Sequence, residues 1–274
     1  MSQEVELLKA EIIKLKRELF AAKKVEQINQ REFEVDQKLL TQGIAHEFNN
    51  ILGSIEGYSE WALDSDSVED YKEALMMAQI ACRRSWKITK SLQNLSLNTE
   101  PSREYLILKD TFEDSIKKHF EKSLNGHQLT VNLGQEDIFA DENQVFEVFV
   151  NLIKNAIESL SISGKKGTIL VTSQKKEKEV LVVVQDDGVG VSSLVKDQIF
   201  YPFFTSKGVM GHSSDSTVDQ AKLLLKQTQS DDSGSGLGLY ICKKILIDHG
   251  GDLILNDSFE GGAQFVLSFP QFER

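Results

Sequence analysis

The sequence predicts an α+β protein, with an N-terminal helical part followed by a C-terminal α/β sandwich. Three observations predict it. Up to residue 97 the chain has helical apolar spacing and no proline. After Pro101, short β-branched runs alternate with helical patterns, as in a sheet covered by helices on one face. Between them Asn98-Thr99-Glu100-Pro101-Ser102 reads as a linker.

The helical part divides in two. Val5, Leu8, Ile12, Leu15 and Leu19 are spaced 3, 4, 3 and 4 apart, with Lys and Glu on the flanks. That is the seam of a short parallel coiled coil, expected over residues 1–31. The alternative is a single amphipathic helix. In the next segment Leu40, Ile44, Phe48, Ile51, Ile55, Tyr58 and Ala62 recur at threes and fours. Asp64-Ser65-Asp66-Ser67 breaks it, and Ser67 followed by Glu69-Asp70 reads as the start of a second helix, 68–97. Residues 32–100 therefore form a helical hairpin. One hairpin cannot bury both apolar stripes, so a four-helix bundle from two copies is expected.

Residues 101–274 carry the second domain. Strands are expected at 106–108, 129–133, 168–172, 180–185, 253–255 and 264–269, and helices at 111–120, 143–160 and 240–249. No internal repeat is visible.

Bulk properties exclude several classes. A chain of 274 residues, 40% hydrophobic, is large enough to bury a core and is not a disordered polymer. Its net charge of -11 argues against a general nucleic-acid binder. No apolar run reaches the length needed to cross a bilayer, and the charged N-terminus lacks a signal-peptide pattern, so a cytoplasmic protein without membrane insertion is expected. Cys82 and Cys242 have no zinc-like spacing and are expected to be buried free thiols.

Four segments of the second domain share a chemical theme. In NLIKNA, Asn151 and Asn155 lie one helical turn apart, and an amide oxygen can serve a hard cation such as Mg²⁺. Alone, two polar residues on a solvated face would explain them as well. In DDGVG an apolar strand ends at Asp186, and Gly188 and Gly190 let backbone pass close to a base. A tight hairpin turn is the alternative. In IFYPFFTSK, aromatics that include Phe203, followed by Thr205, Ser206 and Lys207, read as a hinge with a phosphate-reaching cation, with a core plug as the alternative. In GSGLGL, Gly234, Gly236 and Gly238 flank Leu237 ahead of an apolar helix, whose N-terminus suits an anion.

The order of NLIKNA, DDGVG, FYPFF and GSGLGL resembles the N, G1, F and G2 boxes of bacterial two-component sensor histidine kinases, and AHEFNNIL resembles their H box. The resemblance covers roughly residues 38–274. It implies a Bergerat-type ATP fold preceded by a dimerisation and histidine-phosphotransfer hairpin. It implies that His46 accepts the γ-phosphate of ATP, that Glu47 accepts the other imidazole N–H, and that Asn50 positions a water for phosphatase action. It implies that Asp186 binds the adenine amine, that Asn155 ligates Mg²⁺ with Asn151 near the phosphates, and that Gly188, Gly190, Phe203, Lys207, Gly234, Gly236, Leu237 and Gly238 complete the nucleotide site. The partners implied are a second copy, a response-regulator receiver domain, and a separate sensor protein acting in trans. The physical chemistry agrees, because a neutral imidazole is available near pH 7 and phosphoryl transfer depends on positioning and charge neutralisation.

The sequence departs from the pattern in three places. Asn49-Asn50 stand where many relatives carry a proline, so the helix should be straighter near His46. Glu158 stands where many have Lys, which leaves phosphate contact to Lys207 or Lys154. Residues 205–233 make a long insert, read as mobile or, from Val218, Ala221, Leu224 and Leu225, as a docking helix. No sensor is recognisable before the H box. The competing readings are a non-catalytic dimeric scaffold and a motion-coupled ATPase, but the latter's relatives carry Glu at the place of Asn151.

Overall fold

The computed structural model describes residue 38 and residues 40–96, 101–204 and 236–271. The expected coiled coil, most of the linker, Lys207, Gly234 and the 205–233 insert lie outside the described residues.

Helix α1 spans residues 40–64 without interruption at His46. Helix α2, Val68–Ser96, returns beside it. Ser67 starts α2, its hydroxyl accepting from Asp70 N, while Ser65 donates to the Asp70 carboxylate. Glu69 and Asp70 occupy the first turn, where the helix dipole favours acids. Ile51, Ala81 and Ile88 are the buried centre of the hairpin. Leu52, Leu63, Leu75 and Trp86 remain exposed on it, as a hairpin with half of its apolar surface uncovered must leave them. Cys242 is buried as expected, but Cys82 is exposed. Apolar α2 positions that face the hairpin core, such as Ala81, leave their sequence neighbour on the outside.

The α/β part begins with strand β1, Glu104–Ile107, then a π-helical turn, Lys109–Glu113, that runs into α3, Asp114–Phe120. Strands β2, Gln128–Asn132, and β3, Asp137–Ala140, follow. Helix α4, Glu142–Ser163, leads into β4, Thr168–Lys176, and β5, Glu179–Asp186. Helix α5, Gly238–Asp248, and strands β6, Asp252–Leu255, and β7, Gln264–Pro270, close the fold.

Five strands form a mixed sheet in the order β2-β4-β5-β7-β6; β2 and β4 are parallel and the other pairs antiparallel. β1 and β3 pair separately as an antiparallel ribbon. Along the central strand β5, Val180, Val182 and Val184 are buried at every second position. They join Val148, Phe149, Leu152 and Ala156 of α4 and Ile241 and Leu246 of α5 in one core that reaches from Leu106 to Phe269. β3 lies between two stretches that the sequence reading treated as strand and helix, and four residues of unremarkable alternation gave it no signal.

Two details fix α4. Asp141 caps it by accepting from Gln144 N, and Gly164 ends it at φ 67°. His249 joins this cap to the end of α5. Its Nε2 accepts from Asp141 N at 3.0 Å and its Nδ1 donates to Ile245 O at 2.7 Å. The ring is buried at 4% exposure. Its two contacts define the tautomer with the proton on Nδ1.

Candidate functional site

The period-two alternation of β5 places its last residue. Asp186 continues the parity of Val180, Val182 and Val184, so its carboxylate points to the helix side and is 4% exposed. There Oδ1 accepts from Gly188 N at 2.9 Å and from the Ser159 hydroxyl at 3.1 Å. Burial raises the affinity of this carboxylate for its proton above the ordinary value, and the Gly188 and Ser159 hydrogen bonds oppose that only in part. Ser159 Oγ also accepts from Val189 N at 3.1 Å, which ties the turn after β5 to α4.

A second loop completes this pocket. Asp186 N donates to Ala263 O at 2.9 Å. Gly262, at φ 144°, lies so close that a Cβ would overlap the Asp186 carbonyl, and a Cβ on Gly190, at φ 69°, would meet Gly262 O at 2.7 Å. Backbone thus approaches backbone at the mouth of the acid, which only glycine permits.

On α4, Asn151, Asn155 and Ser159 follow one another at intervals of four and share a face with the pocket. Asn151 Oδ1 stands 3.8 Å from the position a Cβ of Gly238 would take, so the middle of α4 meets the start of α5. The Cys242 thiol also rests against Asn151, and burial pushes that thiol upward in pKa. No group of three or more His, Cys, Asp or Glu that could hold a metal occurs among the described residues. Asn155 supplies an amide oxygen, which suits an ion that keeps most of its ligands as water and phosphate.

Of the glycine turn, Gly236 is described at φ 70°, with the Phe203 backbone where a side chain would be. Leu237 is 0% exposed and belongs to the core. Its side chain anchors the turn, so only its backbone can take part in ligand contact. Phe203 itself adopts φ 63°. Its ring packs beside Ile51, Ala81 and Ile88 of the hairpin and sits where any side chain on Gly43 would be. The aromatic segment therefore bridges the sheet domain and α1.

On α1, His46 and Asn50 are exposed, and Asn50 Nδ2 lies 3.1 Å from His46 Nδ1. Glu47 was expected to accept from the imidazole. In this structure it pairs instead with Arg84 of α2, Oε1 to Nη2 at 2.6 Å. Neighbours on a helix diverge by about 100°, so His46 faces solvent while the longer Glu47 side chain comes within reach of α2, where Arg84 takes its carboxylate.

The structure brings Asn151, Asn155, Asp186, Gly188, Gly190, Gly236, Leu237 and Gly238 to one end of the sheet and puts Phe203 against the histidine helix. Sequence reading missed Ser159, Gly262 and Arg84. Ser159 was recoverable, because it continues the four-residue spacing of Asn151 and Asn155. Gly262 and Arg84 gave no local signal, since both matter through residues distant in sequence.

Comparison with known proteins gives consistent matches. Residues 140–273 match the family described as histidine kinase-, DNA gyrase B-, and HSP90-like ATPase. Sporulation kinase A of Bacillus subtilis is 28% identical over 239 residues, covering 85% of this chain and 34% of that protein. Sensor histidine kinase ZraS of Escherichia coli is 26% identical over 257 residues, 89% of this chain and 49% of that protein. The chain thus spans about a third to a half of the length of these relatives. Among solved structures, histidine kinase ThkA in complex with response regulator protein TrrA superposes with a TM-score of 0.62 at 22% identity, over 88% of this chain and 64% of that one. Acinetobacter baumannii histidine kinase AdeS gives 0.57 at 17% identity, over 83% and 98%. Both share the fold.

Proposed function

We propose that this chain is a two-component sensor histidine kinase with a GHKL-type ATPase domain, a reading the family match and the relatives support, and that it moves the γ-phosphate of ATP to His46. A receiver-domain aspartate on a response regulator then takes the phosphate.

The observation that carries the reading is the contact of Phe203 with Gly43. It joins the domain that holds the Asp186 pocket to the helix that exposes His46 one turn later. The pocket fits a nucleotide base: a buried carboxylate stands behind glycines whose backbones approach closely. Asp186 accepts from the exocyclic amine, and Ser159 and Gly188 hold its Oδ1 in place. Asn151, Gly236 and Gly238 line the way to the phosphates, with Lys207 and Gly234 assigned there by motif alone. Mg²⁺, held by Asn155, would supply charge neutralisation on the phosphates. His46 is the nucleophile, and Asn50 orients a water when the regulator is dephosphorylated. The exposed apolar residues of the hairpin support a homodimer, and a sensor protein in trans is one source of input. No described helix is long and apolar enough to cross a membrane.

The test is incubation of the purified chain with γ-labelled ATP, then with candidate receiver domains. Acid-labile, alkali-stable label on His46 that passes to a receiver supports the reading. Binding of ATP without any label on His46 would leave a scaffold.

A further inference from the structure

Arg84 has no place in the motifs, yet it holds one of the residues beside the reacting imidazole. Its Nη2 lies 2.6 Å from Glu47 Oε1, and the two side chains are 39% and 14% exposed. Such a partly covered pair is screened less than one on an open surface. The pairing is also incomplete. Arg84 Nε and Glu47 Oε1 are both buried and neither has a hydrogen-bond partner among the described residues, so the contact is a close ion pair without hydrogen-bond geometry. A side-on, bidentate carboxylate would have used that nitrogen. Glu47 is therefore captured by one end of the guanidinium rather than locked in a fork.

The consequence is felt at His46. Asn50 Nδ2 faces His46 Nδ1 at 3.1 Å. With the Asn50 amide turned so that Nδ2 faces the ring, as here, the amide donates and Nδ1 offers its lone pair. A neutral imidazole has one ring proton, which then sits on Nε2. An Nε2 that bears the proton has no lone pair in the ring plane with which to attack phosphorus.

We propose, resting on the reading of His46 as phosphoryl acceptor, that Arg84 is a positioning residue that withholds Glu47 from the imidazole and so keeps His46 in the Nε2–H form. Release of Glu47 lets its carboxylate accept from Nδ1–H, which moves the lone pair to Nε2. In the step that follows, the Nε2–P bond forms as the bond from Pγ to the β–γ bridging oxygen breaks. ADP departs with that electron pair, and the Nδ1 proton remains on the ring, hydrogen-bonded to Glu47. The hairpin thus carries two pairings of the same groups, Arg84–Glu47 with Asn50–His46, or Glu47–His46.

The experiment uses the full chain, with ¹⁵N-labelled histidine, before and after addition of ATP. The chain has five histidines, and His46→Gln identifies the signal of interest. Without nucleotide at neutral pH, the His46 ring of the wild-type chain should show the Nε2–H pattern of ¹⁵N shifts. Arg84→Gln and Arg84→Met should both move it toward Nδ1–H. The same variants should raise kcat for His46 labelling by about fivefold with KM for ATP unchanged. Arg84→Lys, which restores the charge, should return the ring toward the wild-type pattern. A tautomer ratio unmoved in both neutral variants overturns the proposal, as does a shift that Arg84→Lys fails to reverse. The ring signals need no ATP, so failure of the kinase reading is separable: it is absent labelling in the wild-type chain, whatever the ¹⁵N shifts show.

Discussion

The ring of Phe203 occupies the space that a side chain on Gly43 would need, so residues 160 positions apart in sequence make the seam between the sheet domain and the histidine helix. Gly43 costs α1 about 1 kcal/mol of helix propensity relative to Ala. That cost is accepted where the ring must lie against bare backbone. Gly43→Ala should therefore destabilise the chain by about 1–3 kcal/mol through overpacking. In a Phe203→Ala background the same change should become neutral or stabilising, by up to ~1 kcal/mol. Urea unfolding of the four-member mutant cycle checks this, and additive effects would contradict the contact.

Asp186 should trade stability for binding. Its folded pKa is raised by burial, so the folded state holds the proton more tightly than the unfolded chain does. The penalty is therefore absent below the ordinary carboxylate pKa and grows as pH rises through the folded value. Asp186→Asn should melt higher than wild type near pH 7 without nucleotide, with the gap narrowing as pH falls toward the ordinary carboxylate range. The same variant should lose tenfold or more in ATP affinity, on the order expected for a hydrogen bond to a charged group. Thermal melts across pH and titration calorimetry measure both.

Ser159 bridges Asp186 and the turn after β5. Ser159→Ala removes one donor and one acceptor at once. Stability should drop by about 1–2 kcal/mol and ATP affinity by about fivefold, while the oligomeric state measured by light scattering stays unchanged. A full-affinity Ser159→Ala chain would mean that Asp186 is oriented without it.

His249 tests the fold rather than the site. His249→Leu leaves Asp141 N–H without its acceptor beneath α4 and should cost about 1–3 kcal/mol. Chemical denaturation with unchanged slope is the measurement. Nucleotide affinity, corrected for the fraction folded, should be retained.

Most of the architecture could be read from spacing. The threes and fours of α1, the run of valines in β5 and the asparagine pair of α4 each mapped onto the element expected, because burial on one face imposes the period. Asp186 stood out as an acid that ends an apolar strand ahead of two glycines, and it is the last residue of β5. Glu47 was not. Adjacency in sequence suggested a partner in His46, whereas the carboxylate is taken by Arg84, a residue of the other helix that nothing in the sequence marked as its partner. Phe203 read equally well as a hinge or a core plug, and its role depends on a glycine in another domain. Strand β3 was too short, at four residues, to stand out. Residues 101–139 lie before the matched ATPase region, yet Leu108, Phe112, Ile116 and Phe120 are buried in the same core. We therefore place the boundary of the second domain near Pro101.

The central claim is that the pocket of Asp186 serves the imidazole of His46. The most direct measurement is γ-labelled ATP added to the wild-type, His46→Gln and Asp186→Asn chains at fixed ATP, followed by acid and alkali treatment of the product. The account predicts acid-labile, alkali-stable label on wild type, none on His46→Gln despite retained ATP binding, and sharply reduced label on Asp186→Asn. Undiminished label on His46→Gln, or full labelling of Asp186→Asn at ATP levels below saturation, would contradict it.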